Sequence, residues 1–478
     1  MKAGFAERDI TPKPGMEKPG GYSKAFHKEG DVHDPLKARA AVFDDGTIRV
    51  ALVGIDAPFI ERPLVMAARQ AIHARCGIAP EAVLVGASHT HSGGPMGLVQ
   101  PGQYDHASDL VKNLAYERSS MADPRYLDMV RDAIVEAVVA ADAARVDALA
   151  SVGSGRETQS AFNRRLRMKN GLTYTHAGKC NPDILDFAGP ADPEVGVIGA
   201  WADGRLLGCV VNFACHGTTG PGGTSTDWIY TLEQTIRGVM GDQAVVVFLN
   251  GASGDVTQVN NRSPYLTDYG ERSARLVGTR VGAEALKVLV STEPGDLTPI
   301  VAKSTLLRIP RRTPSPDRVT RALELVQQDP EAVGTTEWIF AKETVLLDAR
   351  LRTEPVADVE VQAIQIGPAV FLANPAEVFA QLGLDIKAAS HFPYTWIAEI
   401  ANGCVCYVPT EEAFGPHGGG YETRLTSYSN LEVAAGRKIV DASVALARSL
   451  TPGPVPEPPK APPFDTTHPR PPVPPELD

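Results

Sequence analysis

No uncharged apolar run in the 478-residue sequence is long enough to cross a bilayer. The N-terminal Met-Lys-Ala-Gly-Phe-Ala-Glu-Arg-Asp-Ile also lacks the apolar core of a secretory signal. Both absences predict a cytoplasmic protein with no integral membrane association. Excess positive charge is missing too. With 57 acidic against 46 basic side chains the net charge is −11, which excludes the broad basic surface that a nucleic-acid partner requires. Aromatic residues make up only 6%, little for an exposed lipid-docking face. Cysteines number six, and no two have the two-residue gap of a zinc ribbon or redox motif. Cys404 and Cys406 are too close in sequence to bridge easily on a strand, so free and mostly buried thiols are expected. The glycines before Tyr421 are not followed by Lys-Ser or Lys-Thr, which excludes a phosphate loop.

What is present is a series of apolar strands that each end in a polar cluster. Residues 38–43 and 49–55 read as a hairpin turned at Asp-Gly, followed by a helix over 62–76 that Gly77 terminates. The apolar run 82–87 delivers Ser-His-Thr-His-Ser-Gly-Gly, with His89 and His91 two apart. On an extended strand both imidazoles leave the same face. A polar loop of roughly thirty residues follows, long enough to be a lid, before a helix over about 124–140. Strands at 195–201 and 206–214 lead to Cys-His-Gly at His216. Asp227 is placed to cap a helix, and the strand 244–249 leads to Asn-Gly-Ala-Ser-Gly-Asp-Val-Thr, ending at Thr257. Further on, a strand at 300–309 precedes helices at about 317–328 and 337–347, and strands at 359–366 and 369–373. Asn374-Pro375-Ala376-Glu377 then reads as a capping box with Glu377 at N3, and a strand at 394–399 precedes the segment carrying Tyr407.

Alternating strands and helices with chemistry on strand-end loops define an α/β fold of mixed sheets flanked by helices. One domain is expected over residues 1–451, with an N-terminal half of about 1–295 and a C-terminal half of about 296–451. Residues 452–478 change to a proline-rich composition that predicts an extended tail, a candidate hook for a homo-oligomer.

In order along the chain, His-Thr-His-Ser-Gly, a strand ending in His-Gly, Gly-Asp-Val-Thr, Pro-Ala-Glu-Val-Phe and Asn-x4-Tyr-Val-Pro-Thr resemble the neutral/alkaline, non-lysosomal ceramidase family. The opening Asp-Ile-Thr-Pro and Gly21-Tyr22 add to the likeness. The resemblance implies a ceramidase-like catalytic domain without that family's C-terminal immunoglobulin-like domain. It also implies a zinc ion held by His89, His216, Glu377 and Tyr407. His91, Arg164 and Tyr421 would position substrate or transfer protons, and Thr257 stands where the family has a serine hydroxyl.

Two imidazoles, a carboxylate and a phenolate would leave zinc a position for water, as a catalytic site needs. The expected reaction is hydrolysis of an amide bond in an N-acyl compound, by hydroxide formed at the metal, with His91 as general base and then acid. An ester or lactone hydrolase on the same scaffold is the alternative, and a non-catalytic metal-binding scaffold is the third reading. Asp56 and Asp255 are weaker candidates for accepting N–H groups of the ligand histidines.

Overall fold

Strands buried on both faces account for the near-continuous apolar runs of the first half. In 205–213, Val210 faces one core while Cys209, Val211 and Phe213 face another. In 245–250, Val245, Val247 and Leu249 separate in the same way from Val246 and Phe248. These two cores define the layers of a computed structural model that describes residues 1–19, 24–463 and 473–477. Gly21 and Tyr22 lie outside the described residues, as does much of the proline-rich tail.

A five-stranded sheet runs in the order Val83–Ala87, Arg49–Ile55, Lys37–Asp44, Lys2–Asp9, Val146–Asp147. It stacks on a four-stranded sheet ordered Val245–Asn250, Arg205–Phe213, Glu194–Ala202, Leu149–Arg156. The sheets approach so closely that a Cβ on Gly54 would lie 2.4 Å from the carbonyl oxygen of Phe248. Helices Arg62–Cys76 and Pro124–Ala143 contribute to the first core, and Trp228–Met240 and Glu271–Ser291 cover the outer face of the second sheet. A third sheet, ordered Ile300–Pro310, Val356–Ile366, Ala369–Ala373, Tyr394–Ala398, packs its own core against helices Ala380–Ala389 and Ala435–Arg448.

Each of these three sheets contains one parallel pair: 49–55 with 83–87, 205–213 with 245–250, and 369–373 with 394–398. The polar clusters seen in the sequence all follow the carboxyl ends of these pairs, the usual place for a ligand in an α/β sheet.

Three expectations are corrected. Glu377 does not open a helix: Ala376–Val378 is a short strand parallel to Cys406–Val408, and the helix begins only at Ala380. Asn374 spends its side-chain oxygen on the amide of Ala376, 3.1 Å away, in a local turn. The histidine pair does not lie on an extended strand, because pairing ends at Ala87 and His89 is left-handed at φ 62°. The polar loop after it also contains a helix, Asp109–Tyr116, capped by Ser108. The start of the tail is less detached than its composition implies. Gln365 Nε2 donates to the carbonyl of Thr451 (2.7 Å), and the amide of Gly453 donates to that of Gly367 (3.0 Å).

Candidate metal centre

Ala57–Ile60 follow the strand 49–55 and place the carbonyl of Pro58 2.6 Å from His89 Nδ1. A carbonyl only accepts, so Nδ1 carries a proton, and in the neutral ring the Nε2 lone pair is bare. His216 repeats the device, donating from Nδ1 to the carbonyl of Val256 at 3.0 Å. Glu377 Oε2 lies 3.3 Å from His89 Nε2 and 3.5 Å from His216 Nε2. Three electron-pair donors therefore meet with no proton between them. His216 Nε2 and Glu377 Oε2 are sealed from solvent without a hydrogen-bond partner. Such orphaned groups cost about 1–3 kcal/mol each, a cost that a shared cation removes. The residues fit a metal ion on this structure's own chemistry.

His91 completes a group of three imidazoles whose ligating nitrogens lie within 4.8 Å of one another. Its Nε2 is 3.5 Å from that of His89, and its ring keeps an edge open to the cavity, whereas His89 and His216 are enclosed. Burial against the cavity wall lowers the His91 pKa from its ordinary value, which favours the neutral ring.

Tyr407 stands in register with Glu377 across the two short parallel strands. Its hydroxyl is 3.2 Å from Arg164 Nη2 and 3.4 Å from the hydroxyl of Tyr421. Burial, then the charge of Glu377, pushes the Tyr407 phenol well above its ordinary pKa. Arg164 is 3% exposed. It donates from Nε to Glu422 (2.9 Å) and from Nη2 to the carbonyl of Gly254 (2.8 Å), with its guanidinium over the rings of both Tyr407 and Tyr421.

A cavity of about 280 Å³ opens onto this group. His89, His91, Glu377, Tyr407 and Tyr421 line it together with Phe59, Leu98, Val99, Tyr104, Leu346 and Tyr428. The long loop after His91 supplies Leu98, Val99 and Tyr104 to its wall, and the helix Thr335–Leu351 supplies Leu346 beside the charged Lys342, Glu343 and Arg350. Thr257 is not among the lining residues. Its hydroxyl donates to Gln258 Oε1 at 2.7 Å and lies 3.0 Å from that of Thr218.

Asp56 and Asp255 do other work than orienting histidines. Asp56 accepts from Arg39 and from the amide of Lys37, each at 2.7 Å, and Asp255 accepts from the amide of Ala380 and from Asn163. Asp255 thereby caps the helix 380–389, whose own N-cap, Phe379, has no capping side chain. The histidine partners are backbone carbonyls, for which a sequence carries no signal. Sequence reasoning also missed Ser253 and Glu399. Ser253 Oγ lies 3.5 Å from His216 Nδ1 and donates to the buried Glu399 at 2.5 Å.

The glycine before Asp255 has a packing reason. A Cβ on Gly254 would stand 2.3 Å from the carbonyl oxygen of Glu377, backbone against backbone. Gly254→Ala is expected to destabilise the protein by about 1–3 kcal/mol, as overpacking does, and to weaken metal retention by displacing Glu377. Urea unfolding alongside metal analysis measures both; unchanged values for each would mean that the loop yields freely.

These features define a mixed α/β protein with a buried, cation-shaped cluster at the junction of three sheets. No protein-family model matches the sequence, and no curated protein matches it. Solved structures do match. A ceramidase structure titled as complexed with C2 superposes with a TM-score of 0.69 at 21% identity, over 95% of this chain and 77% of that one. Neutral ceramidase from Pseudomonas aeruginosa superposes with a TM-score of 0.68 at 21% identity, over 95% of this chain and 76% of that one. The chain has the neutral ceramidase fold. No helix among the described residues is long and apolar enough to cross a membrane.

Proposed function

We propose that the chain is a zinc-dependent amidohydrolase that cleaves the amide bond of an N-acyl compound. The observation that carries this reading is the meeting of two bare imidazole nitrogens and an unpartnered carboxylate oxygen at the floor of an apolar cavity. His89, His216 and Glu377 would hold the ion, with Tyr407 as the fourth protein ligand. When bound, zinc polarises a carbonyl and lowers the pKa of water by several units. The same charge offsets the effects of burial and of Glu377 that keep Tyr407 protonated.

The chain's own residues do the rest. The His91 ring, neutral and open to the cavity, accepts a proton from the attacking water and returns it to the departing amine. Tyr421 turns a hydroxyl toward the cavity and donates to the oxygen on which charge develops. Arg164 is a positioning residue, since it reaches the cavity only through the two tyrosines. The cavity lies at the small end of ligand pockets, which favours short acyl groups.

The test is a panel of matched amides and esters of increasing acyl length, assayed with the zinc-loaded protein. Short-chain amides should turn over fastest. Turnover of esters alone would replace the amidase reading by an esterase, and no turnover of any acyl compound would end both.

We read Thr257 as supporting a loop and not attacking, because its hydroxyl donates to Gln258 and lies 3.0 Å from that of Thr218. Thr257→Ala should retain at least about a tenth of wild-type kcat/KM, a loss of no more than about 1.4 kcal/mol. An acyl adduct trapped on Thr257 would reverse that assignment.

A further inference from the structure

Behind the helix Thr335–Leu351, on the side away from the catalytic cavity, lies a second hollow of about 470 Å³. It gathers Arg312, Arg318, Arg321 and Arg424 around a single carboxylate, Glu337. Such a concentration of guanidinium groups is unexpected in a chain with net charge −11. Their hydrogen bonding is uneven. Arg424 is held by both oxygens of Glu337 at 3.1 Å and stacks over Phe340, and Arg312 donates to the carbonyls of Leu431 and Ser429. Arg318 makes one 3.3 Å bond to the carbonyl of Leu425, and Arg321 makes no hydrogen bond or ion pair among the described residues.

Most donors of Arg318 and Arg321 are thus uncommitted, and the Glu337 carboxylate is already paired with Arg424. Burial, then the charges of Arg424 and Arg321, lowers the pKa of Arg318. Burial, then Arg318, lowers that of Arg312 to about 10. Arg312, Arg318 and Arg321 have no carboxylate partner among the described residues, since the one in the hollow is taken by Arg424. An anion entering the hollow would convert their mutual repulsion into charge-assisted hydrogen bonds, and the planar fork of arginine suits the paired oxygens of a phosphoryl group.

We infer that this hollow is an anion site that takes a phosphoryl group through Arg318 and Arg321, with Arg312 and Arg424 supplying positive field. The phosphoryl group is either that of a free phosphate or that of an anionic phospholipid headgroup. The site is independent of the catalytic reading, and its test involves no turnover.

Equilibrium dialysis with inorganic phosphate at low ionic strength is run beside sedimentation with phosphatidylglycerol and phosphatidylcholine vesicles. Wild type and Arg318→Ala/Arg321→Ala are compared, with thermal unfolding to check the fold. One phosphate per chain, weakened at least tenfold in the double variant, assigns the free anion. Sedimentation with phosphatidylglycerol but not phosphatidylcholine vesicles, lost in the double variant, assigns the lipid headgroup. Should the double variant not fold, Arg321→Glu replaces it, since Arg321 forms no bond to lose. Wild type binding neither probe, or binding insensitive to both substitutions, overturns the site.

Discussion

His216→Ala is expected to leave a folded chain that neither holds zinc nor turns over substrate. His216 Nδ1 donates to the carbonyl of Val256 and lies 3.5 Å from Ser253 Oγ, and its Nε2 has no hydrogen-bond partner among the described residues. Truncating a fully buried ring also leaves a cavity, so the metal-free fold should lose about 2–4 kcal/mol. The catalytic loss should be at least about a thousandfold in kcat/KM, equivalent to about 4 kcal/mol of transition-state stabilisation. His91→Ala separates the two jobs a histidine can have here. It should keep near-stoichiometric zinc yet lose about 10²–10⁴-fold in rate, as expected for a proton carrier. Elemental analysis with steady-state kinetics on both variants decides the matter. If His91→Ala loses the ion as His216→Ala does, the three imidazoles ligate together and the proton carrier lies elsewhere.

Arg164→Ala should be the most destabilising substitution at the site. Arg164 and Glu422 are 3% and 0% exposed, so truncating the arginine strands a buried carboxylate. Breaking such a pair costs about 3–5 kcal/mol, far above the value of a surface ion pair. The same change frees the Tyr407 hydroxyl and the carbonyl of Gly254, and should lower metal affinity or activity by about 10- to 100-fold in the chains that stay folded. Arg164→Met combined with Glu422→Gln removes both charges and should recover part of the stability but not the activity. Denaturant melts and a double-mutant cycle measure this. Full additivity of the two substitutions would mean that the pair is not coupled.

Much of this fold was legible because its strands are buried on both faces and its turns use residues with strong conformational reasons. The Asp-Gly hairpin, the helix ending at Gly77 with φ 76°, and the cap at Asp227 all came directly from local chemistry. Glu377 misled because Asn-Pro-x-Glu satisfies a helix cap and an Asx turn equally well in isolation. Parallel pairing with Cys406–Val408, thirty residues on, selected the turn. The long helices Glu271–Ser291 and Ala435–Arg448 and the first strand, Lys2–Asp9, were also not read from the sequence. At the site, side chains that converge were recognisable by motif, whereas the carbonyls of Pro58 and Val256 that set the histidine tautomers depend on tertiary approach. The cysteine pair shows the same limit. Cys404 and Cys406 are free thiols as expected, but the left-handed turn at Cys406, φ 57°, brings their sulfurs to 3.6 Å at the cavity wall.

Because His89 follows the first sheet, His216 the second, and Glu377 a short strand that follows the third, an ion seated there would act as a clasp across the whole chain. No fragment that carries one sheet alone can reproduce its affinity. At free zinc a thousandfold above the dissociation constant, such a clasp adds about 4 kcal/mol to global stability. Chelation should then loosen the seams between sheets before it melts any one of them.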